Sequence, residues 1–273
     1  MVKDVGGLGL LAIDVGNSET KLGFFSGAET GELRRTWRIT TVAQRTPDEF
    51  GVLFTGLFRR ASIGTSEVGA IVISSVVPQL DRALQEACMQ YFAREPRVFT
   101  AAEQRLIEIR TDRPRELGSD LAAAAIAAKA LHGAPVIVIG FGTATTFGAV
   151  ARDGAYIGAA IAPGIQISID ALVQRTAKLP QVALEGPPSA IGRDTVTALQ
   201  SGIVYGFVGQ VEGIVARMKR ELGSESRVVA TGGLAGVAAG HTNVIDSVEE
   251  DLVLHGLRLY SLAAMPQAAS VAR

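Results

Sequence analysis

Apolar and polar positions along the chain alternate in two repeated series, each opening with a buried strand that runs into glycine and small polar residues. In the first series, Leu8–Val15 and Lys21–Ser26 read as a hairpin, Gly31–Thr40 as a third strand, and Pro47–Ala61 as a helix. That helix sets Phe50, Leu53, Phe54 and Leu57 on one face, and Pro47 before Asp48 and Glu49 suits its start. Ala70–Val76 is a β-branched strand, Gln79–Phe92 an amphipathic helix and Arg97–Thr100 a short strand. The second series begins with the alanine-rich helix Asp120–Leu131 and continues through strands Val136–Ile139, Thr145–Ala151 and Ala155–Ala162. A long helix, Val196–Arg220, then feeds the strand Arg227–Ala230. The boundary falls near Arg113–Gly118, giving domains 1–115 and 116–273.

The chemistry gathers where strands end. Leu10 to Ile13 closes in Asp14-Val15-Gly16-Asn17-Ser18, and Val136 to Ile139 empties into Gly140-Phe141-Gly142-Thr143-Ala144-Thr145-Thr146. Glycine lets backbone N–H groups approach an anion, and hydroxyls add uncharged donors, so two such turns predict two halves facing one nucleotide. Thr231-Gly232-Gly233 after the last strand is a third candidate. Simpler readings stand beside these: Asp14 satisfying its own turn, Asp120 answering exposed helix N–H groups, Thr195 as a helix-start hydroxyl, and Gly232-Gly233 as an ordinary turn. Gly202, Gly206 and Gly209 permit close helix approach or merely weaken their helix.

Composition narrows the classes. Of 273 residues, 48% are hydrophobic and 19% charged, which describes a compact chain rather than a disordered one. A net charge of −1 provides no field to recruit nucleic acid or an anionic membrane. The single cysteine, Cys88, excludes an internal disulfide and fits a reducing cytoplasm. Val5 to Val15 ends in Asp14 rather than a cleavage site and reads as a buried strand, and no apolar run reaches the roughly 20 residues of a membrane span. His132, His241 and His255 stand apart, without metal-ligand spacing.

The βββαβαβ order resembles a ribonuclease-H-like domain, and the chain as a whole resembles the type III pantothenate kinases of the acetate-kinase, sugar-kinase, Hsp70 and actin superfamily. The resemblance is carried by Ile13 to Ser18, Ser74-Ser75-Val76-Val77-Pro78, Pro114 to Asp120, Gly142 to Thr146 and Ile161 to Ile165. It continues through Ala177-Lys178-Leu179-Pro180, Ile191 to Thr195 and Ala230 to Leu234. It implies two mixed sheets flanked by helices in an α/β actin-like ATPase fold, with a nucleotide cleft between them. The implied reaction is ATP-dependent phosphorylation of pantothenate, the first step toward coenzyme A. By family position Asp14 faces the transferring phosphate and its Mg²⁺, and Gly16, Asn17, Ser18, Lys21, Gly142, Thr143 and Thr145 surround the phosphates. Gly232 and Gly233 pass under the adenosine. Asp120 accepts the substrate proton, and Gly118, Ser119 and Thr195 help bind pantothenate, Thr195 across a homodimer interface in the second domain.

The departures concentrate on one ligand. Gly140 stands where the family carries an Asp tied to a monovalent cation, K⁺ or NH₄⁺, and Leu121 where an arginine holds the substrate. A leucine offers no fork of N–H donors. Thr111 and Arg113 replace an aromatic-polar pair, Gly148 another Asp and Ala159 a glycine; Arg113 or Arg115 is the candidate substitute for the missing guanidinium. Three readings follow: an active kinase with a rearranged acceptor pocket or a different small acceptor, a subunit paired with an active paralogue, and a nucleotide-binding regulatory protein.

Overall fold

The computed structural model describes residues 8–27, 31–176 and 180–264. Ala177, Lys178 and Leu179 of the Ala177–Pro180 motif therefore lie outside the described residues. The chain divides into two units, and the division is not a single cut. Residues 1–106, 113–126 and 253–273 form one unit, and residues 107–112 and 127–252 form the other.

In the first unit, β1 (Gly9–Val15), β2 (Glu19–Ser26) and β3 (Glu32–Thr40) are successive antiparallel strands, whereas β4 (Val68–Ser75) and β5 (Arg97–Val98) join on the other side in parallel. The sheet order is β3-β2-β1-β4-β5. Helices α1 (Pro47–Arg60) and α2 (Pro78–Phe92) supply Phe50, Phe54, Phe58, Leu84 and Phe92 to the core over Leu11, Ile13, Val15 and Ile73. The start of α1 is fixed by a reciprocal cap: Thr46 Oγ1 accepts from Glu49 N at 3.3 Å, and Thr46 N donates to the Glu49 carboxylate at 2.7 Å. Phe58 is wholly buried and meets Phe24, Trp37 and Phe92 with ring centroids 5.0 to 5.5 Å apart. Cys88 is buried within α2, and the apolar surroundings push its thiol up to about 12.

The opposite face of this sheet explains why the chain's end belongs with its beginning. Leu254 of α7 (Leu252–Ala263) packs over Gly23, and Tyr260 meets Phe99 edge-on at 4.9 Å. Helix α3 (Ser119–His132) lies beside α7 so closely that a Cβ on Gly256 would collide with the Ala123 carbonyl oxygen. Alanines 122 to 125, 127 and 128 of α3 are all buried, so its alanine-rich composition is a packing requirement.

The second unit repeats the sheet. β6 (Val136–Phe141), β7 (Ala144–Val150) and β8 (Tyr156–Pro163) are antiparallel, and β9 (Arg227–Thr231) and β10 (Ser247–Val248) extend the sheet in parallel, in the order β10-β9-β6-β7-β8. Helices α4 (Ile165–Gln174), α5 (Thr195–Leu222) and α6 (Ala235–Ala239) cover one face with Ile165, Ile169, Val211, Val215 and Ala235. Among the described residues no helix is long and apolar enough to cross a membrane.

Candidate active site

In both units the candidate residues collect at the carboxyl ends of parallel strands, where open α/β sheets hold their ligands. In the first unit, Asp14 on β1 lies opposite Lys21 on β2 and Ser74 on β4, which makes a polar row across three strands. The turn beyond it is closed by Gly16 N donating to the Glu19 carbonyl at 3.0 Å, leaving Asn17 and Ser18 exposed.

Asp120 enters from α3, in the first turn of the helix. Its Oδ1 accepts from the Leu121 N–H at 2.8 Å and folds back over Gly118, where a Cβ would come within 2.6 Å of that oxygen. Gly118 is thus the space in which the carboxylate lies. Burial raises the Asp120 pKa, against the lowering effect of backbone N–H groups from Leu121 and its own residue. Asp14 is pushed up to about 7, first by burial and then by the negative charge of Asp120, while Lys21 and the Ser74 hydroxyl oppose the rise. Two carboxyl groups close enough to feel each other is the arrangement that separates acid–base roles.

Mg²⁺ takes hard oxygen ligands, keeps several waters and is bound by one or two carboxylates together with substrate phosphates. The Asp14 carboxylate, with Asp120 near enough to repel it, is a donor set that fits this ion, since two positive charges remove that repulsion. Among the described residues no group of three or more His, Cys, Asp or Glu could hold a metal. A monovalent cation is not fitted in the same way: Gly140 has no side chain to offer.

The second unit offers backbone at its own strand ends. Its β6–β7 turn is tightened by Gly142 N donating to the Ala144 carbonyl and by Gly164 N donating to that of Thr143, each at 3.1 Å. Gly142 and Thr143 are exposed there. Gly232 has φ +98, and a Cβ would collide with the Phe141 carbonyl oxygen, so glycine alone lets the turn after β9 lie against β6. Gly233 follows in the same turn. Thr145 differs from its expected place: it pairs with Phe141, is wholly buried on the core side of β7, and its Oγ1 has no hydrogen-bond partner. Strand alternation instead turns the half-buried Thr146 toward Gly140, whose Cβ position is 2.7 Å from Thr146 Oγ1.

Several details are hidden from sequence reasoning. Asp194, not Thr195, caps α5, its carboxylate accepting from Thr197 N at 2.9 Å; Thr195 is an exposed first-turn residue. Arg113 is exposed and paired with Glu116 at 3.1 Å, and Arg115 is exposed as well. Gly148 faces the buried Tyr156 ring, 3.1 Å from where its Cβ would be.

Likenesses to known proteins agree over most of the chain. A family model described as type III pantothenate kinase matches residues 10–217. The type III pantothenate kinase of Moorella thermoacetica is 46% identical over 250 residues, covering 92% of this chain and 97% of that protein. The Myxococcus xanthus relative of the same name is 47% identical, covering 92% and 96%. Among solved structures, (R)-2-hydroxyglutaryl-CoA dehydratase component A of Acidaminococcus fermentans matches with a TM-score of 0.54 at 12% identity, covering 94% of this chain and 97% of that one. An activator of 2-hydroxyisocaproyl-CoA dehydratase from Clostridium difficile, solved with bound ADPNP, gives 0.51 at 10% identity, covering 94% of each. These likenesses show the actin-like ATPase fold alone. With a family model spanning most of its length and relatives near 46% identity over 92% of it, the chain belongs to the type III pantothenate kinase family.

Proposed function

We propose that this kinase moves the γ-phosphoryl group of ATP to the hydroxyl of pantothenate in the cytoplasm, with Asp120 as the proton acceptor. The pantothenate oxygen forms a bond to the γ-phosphorus, the bond from that phosphorus to the ADP oxygen breaks, and the hydroxyl proton passes to the Asp120 carboxylate. Lys21 and the backbone N–H groups of Asn17 and Thr143 hold phosphate oxygens, Gly16 and Gly142 close the turns that present them, and Gly232 and Gly233 leave room for the nucleoside. When bound, Mg²⁺ beside Asp14 neutralises phosphate charge. Membership of the family carries the reading, and Asp120 supports it: its carboxylate is held over Gly118 by the Leu121 N–H in the first turn of α3, and burial raises its pKa, which favours proton acceptance. The test is ADP release by the purified chain with Mg²⁺ and ATP, with and without pantothenate. Pantothenate-dependent ADP supports the proposal, and its absence with any pantothenate-like acceptor sinks an independent kinase.

A second reading is favoured by Leu121 and Gly140, which supply neither guanidinium nor carboxylate: the chain then works as one subunit with an active paralogue. Activity appearing only on co-expression would select it, whereas ATP binding without turnover in either form would select a nucleotide-binding accessory role. We also propose that the second unit forms a homodimer, supported by a groove of about 310 Å³ between α4 and α5 lined by Leu172, Leu199, Gly202, Gly206 and Phe207. Light scattering that returns only monomer would refute it.

A further inference from the structure

We infer that Ser74 and Ser119 are positioning residues for the transfer, their paired hydroxyls fixing the first turn of α3, and with it the Asp120 carboxylate, to the strand end beside Asp14. This rests on the assignment of Asp14 and Asp120 to the reaction. Ser74 Oγ and Ser119 Oγ are 2.9 Å apart, 45 positions apart in sequence, and Ser119 Oγ also lies 3.2 Å from the Ser75 carbonyl oxygen as a donor. With Ser119 donating to that carbonyl, the Ser74 hydroxyl donates to Ser119, and the parallel β1–β4 register places Ser74 directly across from Asp14. Hydroxyl to hydroxyl to carbonyl, the bonds tie the residue next to Asp120 to β4, the strand that pairs with β1 at Asp14. Both serines are buried, Ser74 wholly and Ser119 to 9% exposure.

Burial makes the pair informative. An unpaired buried hydroxyl is costly, but replacing both partners of a buried hydrogen bond by apolar groups of the same shape is close to neutral for stability. Two alanines would therefore leave neither serine hydroxyl unmatched, and would remove the tie between β4 and α3 together with the Ser119 bond to the Ser75 carbonyl. A misplacement of about 1 Å at a reacting group can cost 100-fold in rate.

The experiment compares Ser74→Ala, Ser119→Ala, the double variant, Ser119→Thr and the control Asp120→Asn. Each single alanine is expected to lower kcat about 10-fold or more, with KM for ATP within about 2-fold of the parent. The double variant should lose no more turnover than the worse single while melting no lower than that single, and Ser119→Thr should keep the parent's turnover. Losses that multiply, a loss carried by KM, or full turnover in the double variant overturns the inference. If Asp120→Asn keeps full turnover, the site assignment falls and the inference with it; if Asp120→Asn is dead and the double serine variant fully active, the inference alone falls. A readout independent of turnover is hydrogen exchange in the peptide from Ser119 to Ala125, whose Ala122 N–H bonds the Gly118 carbonyl. Ser74→Ala, a change on β4, should speed exchange there about 10-fold; unchanged exchange overturns the inference even for a chain that is silent alone.

Discussion

The two units share one strand plan, yet they equip the same place in it differently. At the end of the central strand of the first unit stands Asp14, flanked across the sheet by Lys21 and Ser74. The matching register in the second unit holds Gly140, flanked by Thr146 and Thr231. One unit therefore presents charges that can take part in proton and phosphate chemistry, and the other presents hydroxyls and a glycine-lined backbone suited to neutral cradling. The difference shows how a repeated fold divides labour: identical topology fixes where groups are offered, and single residues at equivalent positions decide what they do.

Removing the acidic side of that division should have the largest effect. Asp120→Asn keeps shape and the bond from Leu121 N but cannot accept a proton, so kcat is expected to fall about 10³-fold, measured by ADP release, with melting temperature not lowered. Gly118→Ala offers an independent route to the same end, because its methyl would displace the Asp120 Oδ1 that now occupies that space. A kcat loss without unfolding in both variants ties the first unit's role to that one oxygen.

In the second unit the comparable break is Gly232→Ala. The new Cβ would run into the Phe141 carbonyl oxygen in a backbone with φ +98, so the turn must move, at a cost of about 1–3 kcal/mol. Weaker ATP binding is expected, with any remaining kcat little changed, read by calorimetry beside steady-state kinetics. Were Gly232→Ala instead to depress kcat alone, the proposed split between charged and backbone units would be wrong.

The charge on Asp14 should also be visible in stability. Its carboxyl is held to about 7 in the fold, above the roughly 4 of an unfolded chain, so folding favours the protonated form. Below about pH 4 both states are protonated and no penalty exists. As pH rises toward 7 the unfolded chain gives up a proton that the folded one retains, and stability falls; above that the penalty is constant. Asp14→Asn should therefore be more stable than the parent at pH 8 without Mg²⁺, by on the order of 2 kcal/mol given partial solvent access. That advantage should vanish near pH 4. Urea titrations in chelator at both pH values measure it, and an equal offset at the two would contradict the proposed burial of charge.

The strands and helices are legible in the order of residues alone. Period-two and helical patterns place most of them within a few residues of their observed bounds, because burial on one face writes directly into the order of apolar residues. Sheet registers are not legible: nothing local to Ser74 says that it lies across from Asp14, or that Ser119 reaches it from 45 positions away. Thr145 and Thr146 illustrate the same limit. Both are hydroxyls after a glycine turn, but strand alternation buries the first and turns the second toward Gly140, and a shift of one residue exchanges them. The return of α7 to the first unit is hidden too, since Gly23 under it and its own Gly256 matter through the side chains they lack.

The smallest expected effect is the most pointed, because it tries to make the second unit resemble the first. Gly140→Asp would install a carboxylate at the position equivalent to Asp14, and its Cβ would lie 2.7 Å from Thr146 Oγ1. That atom ends a rotatable side chain, so the hydroxyl can swing away and then donate to the new carboxylate. Leu121→Arg adds the missing donor fork one residue beyond Asp120, on a half-buried position at the start of α3. With both changes, pantothenate-dependent turnover should rise about 10-fold, equal to one charge-assisted contact of roughly 1.4 kcal/mol in the transition state. Each change alone should give less, since a carboxylate and a guanidinium brought to separate ligands act on different parts of one reaction. If the double variant turns over no faster than the parent, the missing groups do not limit the reaction, and the asymmetry between the units belongs to a chain that already works, or serves a partner, without them.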